Sequence, residues 1–143
     1  MKAWIRTIFL LKSKIGQLVE LIAEEMDALS VDIAANTLTV FTKMLALEDK
    51  KRRVVNFKVF STLLKGQLEK QEYSLIKLHI VDGKSFEEIA PLFESSKSAL
   101  SRKFNKAINK CEDFLIKLTF NEERLVSEYK DIALIYRTVQ KIK

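Results

Sequence analysis

Apolar residues along this chain recur with the spacing of α-helices. Near the N-terminus the steps between them alternate between three and four, which places them in one stripe along a helix. This stripe comprises Ile8, Leu11, Ile15, Leu18, Ile22, Met26 and Leu29. Such a stripe packs either within its own monomer or, as a heptad seam, against a helix of another molecule. The sequence leaves both arrangements open, and a homodimer is therefore one expectation.

The same periodicity continues to the C-terminus. A second helix is expected to bury Ile33, Val40, Phe41, Met44 and Leu47, and segment 54–68 is expected to bury Phe57, Phe60, Leu64 and Leu68. Segment 70–81 turns Leu75, Ile76, Leu78 and Ile80 inward, and the last stripe is Leu125, Tyr129, Ile132, Tyr136, Val139 and Ile142. Three glycines, one proline and no long β alternation predict an all-α helical bundle with short connections.

Composition narrows the class of protein. The chain has 143 residues, enough for one core, and its balance of 48% hydrophobic and 31% charged residues is typical of a folded soluble protein. A net charge of +6 permits a polyanionic partner. The four consecutive cations Lys50 to Arg53 could lie at a helix end, in a turn or inside one long helix. They are interpreted as a solvated face in preference to a second nucleic-acid contact.

Several kinds of site and location are not expected. The single cysteine, Cys111, excludes an internal disulfide and fits a reducing cytoplasm. The uncharged run 7–11 ends at Lys12, too short for a signal peptide, and no run is long enough for a membrane span. The single histidine, His79, is expected at a core edge, so we expect no enzyme, no cofactor and no metal site.

The segment 85–110 carries most of the functional information. Ser85 and Glu88 form a capping box that starts one helix, and Ser96 can cap the next. The second helix has an inner face made of Leu100, Phe104, Ala107, Ile108, Cys111 and Leu115. Between Ser96 and Lys110 there are five cations and no acid. Two helices joined by a short turn, the second one basic, predict a helix-turn-helix.

These residues carry a resemblance to a known family. Segment 72–118 resembles, without a gap in the motif, the promoter-reading fourth region of sigma-70-family factors, and the layout is similar to ArpU-like phage regulators. The matching positions are Gly83, Ser85, Glu88, Ile89, Ala90, Leu92, Ser96, Leu100, Ser101, Arg102, Lys106 and Ala107. The division that follows is a helical packing or dimerisation region at 1–69, the helix-turn-helix at 70–118 and a C-terminal helix at 119–143.

The motif departs from the pattern of that family at Glu94, Pro91 and Ala99, and the first two departures are expected to distort it. Glu94 stands where glycine is usual, so a left-handed backbone conformation there costs more. Pro91 lies inside the first helix of the motif and should shorten or kink it.

The resemblance implies a regulator of transcription that binds double-stranded DNA in the major groove. The residues expected to face the groove are Ser96, Lys97, Ser98, Ser101, Arg102 and Asn105. By their chemistry, Arg102 suits guanine and Asn105 suits adenine. Phosphate contacts are assigned to Lys97, Lys103, Lys106 and Lys110. The alternatives are a sigma-like factor that contacts RNA polymerase, a small subunit of a phage DNA-packaging machine, and a helical adaptor that binds protein.

Overall fold

The chain folds into helices only, within the residues that can be described. The computed structural model describes the backbone of residues 1–31 and 37–142 and the side chains of residues 1–29 and 41–132. The helices are α1 (Lys2–Val31), α2 (Thr37–Lys65), α3 (Lys70–Ile76), α4 (Phe86–Ile89), α5 (Lys97–Lys117) and α6 (Glu122–Ile142). A π-helical turn, Lys77–Val81, follows α3, and a 3-10 turn, Ala90–Phe93, follows α4. The prediction of an all-α fold is confirmed.

The N-terminal helix packs within its own chain. The stripe from Ile8 to Ile22 is at most 7% exposed, and α1 lies against α2, α5, α6 and the π-helical turn. Of the two arrangements that the heptad spacing allowed, intramolecular packing is therefore the one that α1 adopts. Met26 is half-buried and continues the same contact toward the end of the helix.

One long helix, α2, contains the charge run at Lys50 to Arg53, so of the three arrangements that the sequence left open there, a stretch inside a single helix is the one adopted. Its buried side includes Leu47, Phe57 and Leu64, as predicted. The expectation that Phe41 is buried is wrong, because its side chain is 60% exposed. Phe41 precedes Leu47 by six residues, which at about 100° per residue points the two side chains to different sides of one helix. The predicted positions Ile33 and Val40 lie outside the described side chains.

The cations at Lys50 to Arg53 are exposed on the middle of α2, as the charge run predicted. Two of them form ion pairs. Arg52 contacts Asp49, and Arg53 donates to Asp131 of α6 at 2.7 Å and also lies 3.2 Å from Asp49. The pairing of Arg53 fixes α6 across α2.

Aromatic packing joins α6 to α2. The ring of Tyr129 lies 5.2 Å from that of Phe57 and stacks at 5.0 Å on Phe60, while Phe120 lies 5.2 Å from Phe60. Such pairs contribute about 0.5–1.5 kcal/mol each beyond burial. One continuous cluster of buried side chains includes residues from α1, α2, α3, α4, α5 and α6, so the flanking helices and the helix-turn-helix share a core.

None of the helices, over the part of the chain that is described, is both long and apolar enough to cross a bilayer.

Two isoleucines on α5, one buried and one exposed, provide a test of this packing. Ile108 is 3% exposed and Ile116 is 56% exposed. Ile108→Ala is expected to lower the free energy of unfolding by about 2–5 kcal/mol, because it removes buried methylenes and leaves a cavity. Ile116→Ala is expected to change it by less than about 0.5 kcal/mol. Urea unfolding of both variants measures the difference, and equal losses would contradict the placement of α5.

Candidate nucleic-acid interface

The helix-turn-helix begins with the capping box expected from the sequence. The backbone N–H of Glu88 donates to Ser85 Oγ at 3.2 Å, and the backbone N–H of Ser85 donates to Glu88 Oε1 at 3.3 Å. The turn before it contains Gly83, whose φ of +69° is readily available only to glycine. These contacts fix where α4 starts relative to α3.

The first helix of the motif is short, and the turn that follows it passes through Glu94. The α-helical stretch α4 is only four residues long and becomes a 3-10 turn at Ala90, next to Pro91. Glu94 then adopts a left-handed conformation, with φ 49° and ψ 45°. The backbone N–H of Ser95 donates to the carbonyl of Ala90 at 3.1 Å, which closes the turn as a Schellman motif. The expected shortening of the helix at Pro91 is confirmed. The expected distortion at Glu94 is not found, because Glu94 adopts the left-handed conformation for which glycine is usual and the turn closes regularly.

The second helix of the motif, α5, is capped as predicted, and its inner face is buried as predicted. Ser96 Oγ accepts a hydrogen bond from the backbone N–H of Ala99 at 3.1 Å. All six residues of the expected inner face are at most 3% exposed. Burial raises the pKa of the Cys111 thiol to about 12, so this side chain acts as a small apolar group of the core.

The outer face of α5 presents polar side chains to solvent. Ser98, Arg102, Asn105 and Lys106 are exposed, and Ser101 is half-buried at the edge of the face. Within the described residues, Arg102, Asn105 and Lys106 have no hydrogen-bond or ion-pair partner in the protein. Their donors are therefore available to a ligand.

The motif did not single out Asn109, which the structure places on this same face. Asn109 is exposed and follows Asn105 by four residues and Arg102 by seven, so the three side chains lie in one line along α5. The sequence analysis missed this residue, although its helical spacing from Arg102 was a signal that could have identified it.

Two of the lysines assigned to phosphates lie on the flank of α5 that faces α3. Lys103 Nζ donates to Gln71 Oε1 at 2.7 Å, and Lys110 Nζ donates to Glu72 Oε1 at 2.8 Å. A third, Lys97, is exposed and forms an ion pair with Glu87 at 3.1 Å. The sequence placed all three lysines on one basic helix, but it did not reveal these partners on α3 and α4.

The ion pair between Glu72 and Lys110 joins two helices of the motif. The Glu72 side chain is only 4% exposed. Burial alone would raise the pKa of its carboxyl, but hydrogen bonds from Lys110 and from its own helix cap, the backbone N–H of Glu69, outweigh burial and leave the pKa lowered. Glu72 is therefore ionised at neutral pH and holds α5 at a fixed rotation relative to α3.

A stack of rings fixes α5 from a second direction. His79 stacks on Phe86 at 4.2 Å and meets the ring of Phe104 edge-on at 4.9 Å. Its Nδ1 donates to the carbonyl of Lys84 at 2.8 Å. The guanidinium of Arg6, from α1, lies 5.0 Å from the centre of the Phe104 ring. The expected edge-of-core position of His79 is confirmed.

Replacing Glu94 by glycine should stabilise the turn. A non-glycine residue in the left-handed region costs about 1–2 kcal/mol, part of which glycine loses again in the entropy of the unfolded chain. Glu94→Gly is expected to raise the free energy of unfolding by about 0.5–1 kcal/mol. Ser95→Gly is the control, since Ser95 has a negative φ, and it should lower stability. Thermal unfolding of both variants measures the sign.

The pairing of Glu72 makes stability depend on pH in a defined window. Because the folded pKa lies below the ordinary value of 4.5, the stabilisation is complete above about pH 4.5 and is lost as the pH falls through the folded pKa. Lys110→Met is therefore expected to lower stability more at pH 7 than at pH 3.5. Lys117→Met, on the exposed end of the same helix, should show no such difference. Urea unfolding at the two pH values measures it, and equal losses for Lys110→Met would contradict the pairing.

Comparison with known proteins identifies the family of this chain. No curated protein and no solved structure matches the sequence. One family model, UPF0122, described as "Putative helix-turn-helix protein, YlxM / p13 like", matches residues 47–142, which include α3, α4, α5 and α6. Because this match covers about two thirds of the chain and contains the whole motif, the protein belongs to the UPF0122 family of helix-turn-helix proteins.

Proposed function

We propose that this protein binds double-stranded DNA in a sequence-specific manner, with the N-terminal half of α5 in the major groove, and regulates transcription. The observation that carries the proposal is the outer face of α5. That face presents Arg102, Asn105 and Lys106 to solvent, and the helix has no acidic residue from its cap to Lys110. An α-helix of this kind fits the width of the major groove.

By their chemistry, the exposed side chains fall into those that recognise bases and those that contact phosphates. Arg102 has the forked donors that recognise guanine, and Asn105 has the donor and acceptor pair that recognises adenine. Asn109 extends the reading face by one turn, and Ser98 and Ser101 border it. Lys97 and Lys106 are assigned to phosphates on either side of the groove.

Ser96, Lys103 and Lys110 have a different role in this proposal. Ser96 caps α5, and Lys103 and Lys110 hold the helix against Gln71 and Glu72. A phosphate would have to compete with a buried carboxylate for Lys110. We therefore assign these residues to positioning α5, with phosphate contact secondary.

A role in transcription is supported by the resemblance of segment 72–118 to region four of sigma factors. In sigma factors, region four also contacts RNA polymerase. Retention of the protein on core polymerase would favour a sigma-like factor, and a ring-sized oligomer would favour a packaging subunit.

Two substitutions on α5 distinguish base recognition from phosphate contact. Arg102→Ala is expected to weaken binding to the preferred site by about 1–3 kcal/mol and to relax selectivity at one base pair. Lys106→Ala is expected to weaken binding to all duplexes alike and to reduce the slope of log K against log salt by about 0.9. Lys130→Ala, an exposed lysine on α6, is the charge-matched control.

Binding is measured by fluorescence anisotropy on a site selected from random duplexes. No binding to any duplex at about 50 mM salt, where phosphate contacts are strong, would overturn the proposal. That result would favour the protein-binding adaptor.

A further inference from the structure

The outer side of α2 carries an apolar surface that neither the core nor the proposed DNA contact uses. Phe41, Leu45, Val55, Val59 and Leu63 are 60%, 51%, 46%, 57% and 54% exposed. They account for half of the exposed large hydrophobic side chains in the described part of the chain. Proteins that act as monomers rarely leave contiguous apolar surface on the order of several hundred Å² uncovered.

These residues form a single line along the helix. Together with two charged residues between them they make up the α2 stripe, which we define as Phe41, Leu45, Glu48, Arg52, Val55, Val59 and Leu63. The steps of three and four residues keep the whole stripe on one side of α2, opposite to the buried Val54 and Phe57. At 1.5 Å per residue the stripe is about 33 Å long. This is the pattern of a helix that packs on two sides.

The two charges at the centre of the α2 stripe indicate what covers it. In a parallel, in-register pair of α2 helices, Glu48 would face Glu48 and Arg52 would face Arg52, which is repulsive. In an antiparallel pair with a two-fold axis at the level of Lys50, Glu48 faces Arg52 of the second copy and Arg52 faces its Glu48. The charges are therefore complementary to the same surface of a second molecule.

The same register also pairs four of the five apolar residues of the α2 stripe. An antiparallel pair centred at Lys50 places Leu45 opposite Val55 and Phe41 opposite Val59 of the second copy. Arg52 already contacts Asp49 on its own helix, but a guanidinium has five N–H donors and can bind both carboxylates. Apolar contacts thus flank a central pair of ion pairs, and no like charges on the α2 stripe face each other.

We propose that the protein forms a homodimer by antiparallel packing of α2 against α2 of a second copy, about a two-fold axis at the level of Lys50. The occupant of the α2 stripe is the stripe of the other molecule. This inference does not depend on DNA binding, because no residue of the α5 face takes part in it.

Charge reversal gives the sharpest test. Sedimentation equilibrium of the full chain is expected to give twice the monomer mass of 16.5 kDa at micromolar concentrations. Glu48→Arg and Arg52→Glu should each raise the dimer dissociation constant about tenfold or more, because each sets like charges face to face. The double variant Glu48→Arg/Arg52→Glu restores the complementarity and should return the dissociation constant to near that of the wild type.

A charged substitution in the apolar part of the α2 stripe, with a matched control on α6, tests the contact itself. Val59→Glu should give a monomer, whereas Val126→Glu, a partly exposed valine on α6, should leave the dimer intact. Circular dichroism checks that each variant keeps its helix content. The two charge variants alter no apolar residue, so they test the dimer without a change in apolar packing. A wild-type monomer at 100 µM would overturn the proposal. So would a dimer that is unaffected by Glu48→Arg and Val59→Glu, or a double variant no tighter than the single ones.

Discussion

Burial of the inner side of α5 is the constraint on which the rest of the candidate interface depends. Six side chains of this helix are removed from water against α1, α3 and α4, and this leaves only one side of α5 for solvent. Arg102, Asn105 and Asn109 are exposed because they lie on that side, and Lys110 is only partly exposed because it lies beside α3. Hydrophobic packing thereby selects which polar groups are available for recognition.

The helix-turn-helix of this protein is part of a larger core. Phe104 of α5 contacts Arg6 of α1, and the buried cluster that holds α5 continues through Phe57 to Tyr129 of α6. The family match begins within α2, so α1 lies outside the matched region, but α1 still contacts α5. The core that supports α5 therefore extends beyond the matched region.

Local features of the motif could be predicted from the sequence, whereas contacts between distant segments could not. The caps at Ser85 and Ser96 and the short helix at Pro91 follow from residues within a few positions of each other. Their geometry depends on short-range sterics and hydrogen bonds. The ion pair of Glu72 with Lys110 joins residues 38 positions apart, and no local pattern specifies it.

The error at Phe41 has a related cause. Periodicity shows that a helix has an apolar side, but on α2 there are two such sides, one buried against α1 and one exposed. Which of them faces the core depends on how α1 packs against α2, which is information from outside the helix. In the C-terminal helix α6 the predicted stripe lies on a single apolar side, and its first three residues, Leu125, Tyr129 and Ile132, are buried. The rest of that stripe, Tyr136, Val139 and Ile142, lies outside the described side chains.

The ring of Phe104 has a thermodynamic consequence for any ligand of α5. The Phe104 ring contacts the rings of His79 and Phe86 and the guanidinium of Arg6. These three residues come from three separate segments. A rotation of α5 about its axis would disturb all three contacts together, so the helix is held in one orientation before a ligand arrives. Association then needs little ordering of the protein backbone, and the entropy lost on binding comes mainly from the side chains at the surface and from the ligand.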